Sequence, residues 1–106
     1  MIPNKKLSTG QEMPMLGLGT WRVNGVACET IVRTAIELGY THIDTAEMYG
    51  NEEEIGTALN LHPREKLFLT SKVWKDNLTK EGVIAACQQS LAKLNTDYLN
   101  LYLIHW

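Results

Sequence analysis

Apolar residues along this chain change their spacing in a regular way. Short runs that are nearly continuous or alternating, "MLGLG", "THID", "KLFLTSKVW" and "DYLNLYLIHW", are separated by longer stretches in which apolar side chains recur every three to four residues. The first kind of pattern predicts strands and the second amphipathic helices. From Val26 to Leu38, the residues Ile31, Val32, Ala35 and Ile36 fall at helical spacing, and Gly39 supplies the stop. Farther on, Asn51 is a candidate helix cap. Glu52, Glu53 and Glu54 fill the first turn, where the helix dipole favours anions, and Ile55, Ala58 and Leu59 form the inner face. Thr79 is the candidate cap of a third helix, with Val83, Ile84, Cys87, Leu91 and Leu94 on one side. Ahead of the first strand, the Thr-Gly pair in "KLSTGQEMPML" predicts a small hairpin. Strands alternating with helices argue for an α/β fold of about four parallel strands joined by right-handed crossovers.

Composition narrows the class. A chain of 106 residues, 44% hydrophobic and 21% charged, is expected to form one soluble globular domain. A net charge of -2 offers no basic field for nucleic acid or anionic lipid. The start "MIPNKKLSTG" lacks the apolar core of a signal peptide, and "YLNLYLIHW" is too short to span a bilayer, so the cytoplasm is the expected compartment. Cys28 and Cys87 both fall in predicted helices without metal-ligand spacing or a CxxC pair. They read as inert thiols, and no metal site is expected.

The chemistry lies at the strand ends. Asp44 ends the second predicted strand, Lys72 lies near the end of the third and His105 near the end of the fourth, while Tyr49 follows the second strand in a loop. In parallel α/β sheets this rim carries function, because its loops vary over a fixed scaffold. Taken singly, Asp44 reads as a loop cap, Tyr49 as a surface aromatic, Lys72 as a snorkelling strand-end lysine and His105 as a packed, hydrogen-bonded histidine. Their convergence on one rim favours chemistry. A tyrosine, ordinarily titrating at about 10, is a poor proton donor at neutral pH unless a cation stabilises its phenolate. Lys72 is placed to be that cation and Asp44 to hold it. Such a chain, with a histidine beside it, suits protonation of an oxyanion forming on a carbonyl.

The segments "GLGTW" (17–21), "GYTHIDTAEMYGNEEEIG" (39–56), "SKVW" (71–74) and "LYLIHW" (101–106) closely resemble the aldo-keto reductases, in the family's order and over essentially the whole chain. The likeness is to bacterial reductases of the diketogluconate reductase type. Thr41 departs from the arginine usual in the family and leaves the catalytic matches intact. The resemblance implies NADPH-dependent reduction of aldehydes or ketones on a (β/α)₈ TIM barrel. Within it Tyr49 is the proton donor, Lys72 lowers its pKa, Asp44 pairs with Lys72 and His105 orients the carbonyl. It places Thr20 and Asp44 at the nicotinamide end of the cofactor, and Trp21, His105 and Trp106 at the substrate.

The family's barrel has eight strands and this sequence carries about four, so residues 1–106 read as its N-terminal half. No GxGxxG fingerprint or P-loop is present, and the lone "GLG" is weak evidence for phosphate binding. The ending at Trp106 suggests a truncated product, an incomplete sequence or an excised fragment. Three expectations follow for the chain on its own: weak or absent NADPH binding and activity, marginal stability, and self-association through open sheet edges. A different class of function, a non-catalytic scaffold or binding protein on the reductase fold, needs none of the four rim residues.

Overall fold

The computed structural model describes residues 2–106. The chain opens with an antiparallel hairpin of β1 (Asn4–Lys6) and β2 (Glu12–Pro14), in register Asn4↔Pro14 and Lys6↔Glu12. Gly10 turns its corner at φ 89°, a conformation that side chains disfavour. There follow β3 (Leu18–Gly19), α1 (Gly25–Glu37), β4 (His42–Asp44), a 3₁₀ turn (Glu47–Tyr49) and α2 (Glu52–Leu59). A second 3₁₀ turn (Arg64–Lys66), β5 (Phe68–Trp74), a third (Lys75–Asn77), α3 (Lys80–Leu94) and β6 (Leu101–His105) complete the order. The main sheet has four strands, all parallel, in the order β3-β4-β5-β6.

Strand residues alternate faces. Ile43, Leu69 and Val73 are turned to the helices, where the core gathers Cys28 and Val32 of α1, Ile55, Ala58 and Leu59 of α2, and Leu94 of α3. The other face carries His42 and Asp44 of β4 and Thr70, Lys72 and Trp74 of β5. The register continues that face onto Leu103 and His105 of β6, opposite Lys72 and Trp74.

Some expectations change in detail. The first main strand is only two residues long, and Ile31 of α1 and Ile84 of α3 are exposed rather than inward. The centre of the α3 stripe is Ala86, Ser90 and Leu94, flanked by the half-buried Val83, Cys87 and Leu91. Thr79 does cap α3, its hydroxyl accepting from Gly82 N–H at 3.0 Å.

Asn51 does not cap α2 with its side chain. Its carbonyl begins the helix by accepting from Ile55 N–H, but its amide is fully buried. That amide donates to the Thr20 and Val23 carbonyls at 2.7 and 2.9 Å and accepts from the Thr45 hydroxyl at 2.6 Å. Glu52 likewise leaves the role of an exposed dipole partner. It is 3% exposed and accepts from Ser71 Oγ at 2.7 Å and Ser90 Oγ at 3.1 Å, tying α2 to β5 and α3.

At the opposite end of the sheet, Arg64 donates to Thr96 Oγ1, to the Leu67 and Tyr98 carbonyls and to Asn100 Oδ1, while its guanidinium stacks on Tyr98. Asn100 pairs with Leu69 both ways, its own N–H donating to the Leu69 carbonyl at 3.0 Å and its Oδ1 accepting from Leu69 N–H, so a side chain takes the place of the ladder acceptor and the strand starts at Leu101. Among the described residues no helix is long and apolar enough to cross a membrane.

Candidate active site

The rim at the carboxyl ends of β4, β5 and β6 brings the predicted residues together. Asp44 is the last residue of β4 and lies level with Thr70 of β5. Lys72, two residues farther along β5, therefore projects above it from the same face. The Lys72 ammonium donates to Asp44 Oδ1 at 2.5 Å and to the Thr45 carbonyl at 3.0 Å, and stands 3.5 Å from the Tyr49 hydroxyl. Both partners of the Asp44–Lys72 pair are partly covered, so solvent screens it less than an exposed pair. Nζ also lies over the Tyr49 ring, 5.1 Å from its centre.

Tyr49 reaches this position because β4 ends at Asp44 and a 3₁₀ turn starts three residues later. Gly50 closes the turn at φ 68°. His105, the last residue of β6, meets the Tyr49 ring edge-on at 5.7 Å and the Trp74 ring at 5.2 Å between centres. His105 Nδ1 is buried without a hydrogen-bonding partner among the described residues. The arrangement is an acid, a cation, a phenol and an imidazole in sequence, with no nucleophile activated by a base. Among the described residues no cluster of metal-ligating side chains occurs.

The remaining predicted residues are placed differently. Thr20 is 1% exposed and its hydroxyl donates to the Asp44 carbonyl at 2.9 Å, so it secures the strand end that presents Asp44. Trp21 and Trp106 are both largely exposed on loops beyond β3 and β6, Trp21 with Arg22 stacked on its ring at 4.6 Å. Two rim residues went unread in the sequence. Glu47 accepts from Trp74 N–H and Asn77 Nδ2, and Trp74 itself braces His105. The family motif contained both, but only a tertiary contact distinguishes Glu47 from its acidic neighbours.

The model of the Aldo/keto reductase family matches residues 15–106. The chain belongs to this family. Aldo-keto reductase family 1 member A1 of Cricetulus griseus is 48% identical over 107 aligned residues, which cover 94% of this chain and 33% of that protein. The Homo sapiens protein of the same name is 47% identical at the same coverage, and an aldo/keto reductase of Synechocystis is 43% identical over 94% of this chain and 32% of its own.

This aldo/keto reductase chain thus spans about a third of the length of these relatives. A crystal structure of an aldo/keto reductase from Brucella melitensis superposes with a TM-score of 0.96 at 44% identity, covering all of this chain and 42% of that one. A thermostable aldo-keto reductase in complex with the inhibitor epalrestat superposes at 0.93 and 44% identity, covering 99% of this chain and 43% of its own. The parallel sheet, its helices and the leading hairpin correspond to the N-terminal half of the (β/α)₈ barrel of these oxidoreductases.

Proposed function

We propose that the intact protein containing this aldo/keto reductase segment reduces aldehydes or ketones to alcohols with NADPH. Tyr49 is the proton donor. The observation that carries the reading is the position of the Lys72 ammonium between the Asp44 carboxylate at 2.5 Å and the Tyr49 hydroxyl at 3.5 Å.

The residues fit the nicotinamide end of the cofactor. Asp44 commits Oδ1 to Lys72, while Oδ2 makes no hydrogen bond among the described residues and the side chain is 34% exposed, leaving an acceptor open to a carboxamide N–H. Reduced nicotinamide, when bound, supplies the hydride. Tyr49 gives its proton to the carbonyl oxygen as that oxygen gains charge. The phenolate left behind is stabilised by Lys72, which Asp44 and the Thr45 carbonyl hold in place. His105, braced edge-on by Trp74 and Tyr49, borders the place where the carbonyl oxygen must sit and orients it. Trp21 and Trp106 are exposed apolar surfaces suited to the organic part of the substrate.

Replacing Tyr49 by Phe removes the proton and preserves the ring's packing. In the intact protein, assayed with NADPH and a panel of aldehydes and ketones, Y49F is expected to lower turnover by at least ~10²-fold. Undiminished turnover in a folded Y49F protein would refute the assignment. The 106-residue chain by itself is expected to bind NADPH weakly, since Lys72, the best-placed cation of the rim, is already engaged by Asp44. The unpaired edges of β3 and β6 are the surfaces through which it would self-associate, which sedimentation tests.

A further inference from the structure

The 3₁₀ turn that presents Tyr49 starts at Glu47, and the Glu47 carboxylate is turned back into the protein. Its Oε1 accepts from the backbone N–H of Trp74 at 2.5 Å and from Asn77 Nδ2 at 2.9 Å. Trp74 is the last residue of β5, two past Lys72, and Tyr49 is two past Glu47. One carboxylate oxygen therefore bridges the turn that bears the phenol and the strand that bears the ammonium, at the same sequence distance from each. The connections close on themselves: Glu47 holds Trp74 N–H, the Trp74 ring meets His105, His105 meets Tyr49, and Tyr49 returns to Glu47 along the turn.

The ends of this loop are fixed by the Thr45 hydroxyl bonded to Asn51 and by Lys72 on the Thr45 carbonyl, but among the three residues of the turn only Glu47 makes a side-chain hydrogen bond to β5 shorter than 3.5 Å. The turn's own backbone bonds are Tyr49 N–H to the Ala46 carbonyl at 3.1 Å and Gly50 N–H to the Glu47 carbonyl at 3.3 Å, and no side chain caps it. The Lys72–Tyr49 contact, at 3.5 Å, is too long to act as the anchor. A hydrogen bond to an ionised acceptor is among the stronger ones available, and Glu47 makes two of them.

We propose that Glu47 is a positioning residue for carbonyl reduction, holding Tyr49 and Lys72 at the separation that proton transfer requires. This rests on the reading of Tyr49 as proton donor. Glu47 acts through its acceptor oxygen and through Trp74, and it does not touch the reacting atoms. A glutamine keeps a carbonyl oxygen at the same reach for both bonds and trades the charge and the second oxygen for an NH2 group, whereas alanine loses both bonds.

The test compares E47A, E47Q and Y49F with the unaltered intact protein, reading kcat and KM for an aldehyde and, on ¹⁵N-labelled protein, exchange of the Trp74 amide proton. E47A is expected to lower kcat by about 10- to 100-fold, the scale of an ångström's misplacement at a reacting centre, with KM little changed. The Trp74 amide should then exchange at least about tenfold faster, as expected for a lost protecting hydrogen bond. E47Q is expected to stay within about threefold of the unaltered protein in kcat, as a retained hydrogen-bond geometry requires. If E47A keeps full kcat while Y49F loses it, or if E47Q falls as far as E47A, the positioning role is overturned and Tyr49 keeps its own. If Y49F is as fast as the unaltered protein, the proton-donor reading fails and the role of Glu47 falls with it.

Discussion

Replacing Ser71 by alanine removes a single oxygen from the helix-facing side of β5, yet the structure makes it a costly change. Ser71 is fully buried, and its hydroxyl is the shorter of the two donors to the Glu52 carboxylate, at 2.7 Å against 3.1 Å from Ser90. Hydrogen bonds to a charged acceptor contribute ~1.5–3 kcal/mol, and a buried charge deprived of a donor pays its desolvation in full. S71A is therefore expected to destabilise the fold by ~2–3 kcal/mol and S90A by somewhat less, against a total of ~5–15 kcal/mol for a domain of this size. With a urea dependence of ~1–3 kcal/mol per molar, the unfolding midpoint should drop by roughly 0.7 to 3 M. The triple variant E52L/S71A/S90A removes the charge together with both donors and should be less destabilised than S71A alone, because no polar group is left wanting. Urea unfolding followed by circular dichroism measures all of them. An S71A protein within ~0.5 kcal/mol of the original, the range of an ordinary surface substitution, would show that the carboxylate does not depend on this hydroxyl.

Two further outcomes are expected. Gly56 of α2 lies so close to α3 that an added Cβ would stand 2.5 Å from the Lys93 carbonyl oxygen, a backbone atom that cannot rotate away. Alanine gains ~1 kcal/mol of helix propensity but incurs ~1–3 kcal/mol of overpacking, so G56A should lower the thermal midpoint, and a rise would refute the close helix contact. The Tyr102 hydroxyl is buried without a partner among the described residues, and burial first, then the charges of Cys87, Glu47 and Glu52, push its pKa up to about 12. The folded state keeps this proton after the unfolded chain, titrating near 10, has begun to lose it, so stability present below pH ~10 is lost as pH rises toward 12. Y102F should be at least as stable at neutral pH and lose less between pH 10 and 12; urea midpoints that fall in parallel for the two proteins would contradict this.

The elements were legible because spacing alone distinguishes a strand covered on both faces from a helix covered on one, and Thr79 could be read as a cap because its partner is only three residues away. The rim residues were legible as strand ends for the same local reason. What escaped was set by tertiary partners. Asn51 and Glu52 occupy positions where an exposed cap and a dipole partner are usual, and their partners lie on other elements: Ser71 is 19 and Ser90 38 residues from Glu52. A signal was present, since serines at 71 and 90 interrupt otherwise apolar faces, and two buried donors call for a buried acceptor. Ile31 and Ile84 failed in the other direction: each lies on a periodic stripe wider than the surface its helix meets, and periodicity carries no width. Glu47 stood in a run of acids that looked alike until the fold aimed one of them at Trp74 N–H.

Asn51 joins the loop after β3, through two carbonyls, to the loop after β4, through a hydroxyl, using two N–H groups and one oxygen of a single amide. Aspartate matches its size but turns an acceptor toward two acceptors. Glutamine matches its chemistry but is a methylene too long for a site with no room. An Asn51→Asp substitution would therefore convert a three-way clasp into two electrostatic clashes without altering the side chain's shape. The clasp lies next to the strand end that presents Asp44, where the Thr20 hydroxyl donates to the Asp44 carbonyl and the Thr20 carbonyl accepts from Asn51. A change at one amide would thus reach the ammonium and phenol of the rim without touching either, so the rim's geometry is hostage to a residue that takes no part in its chemistry.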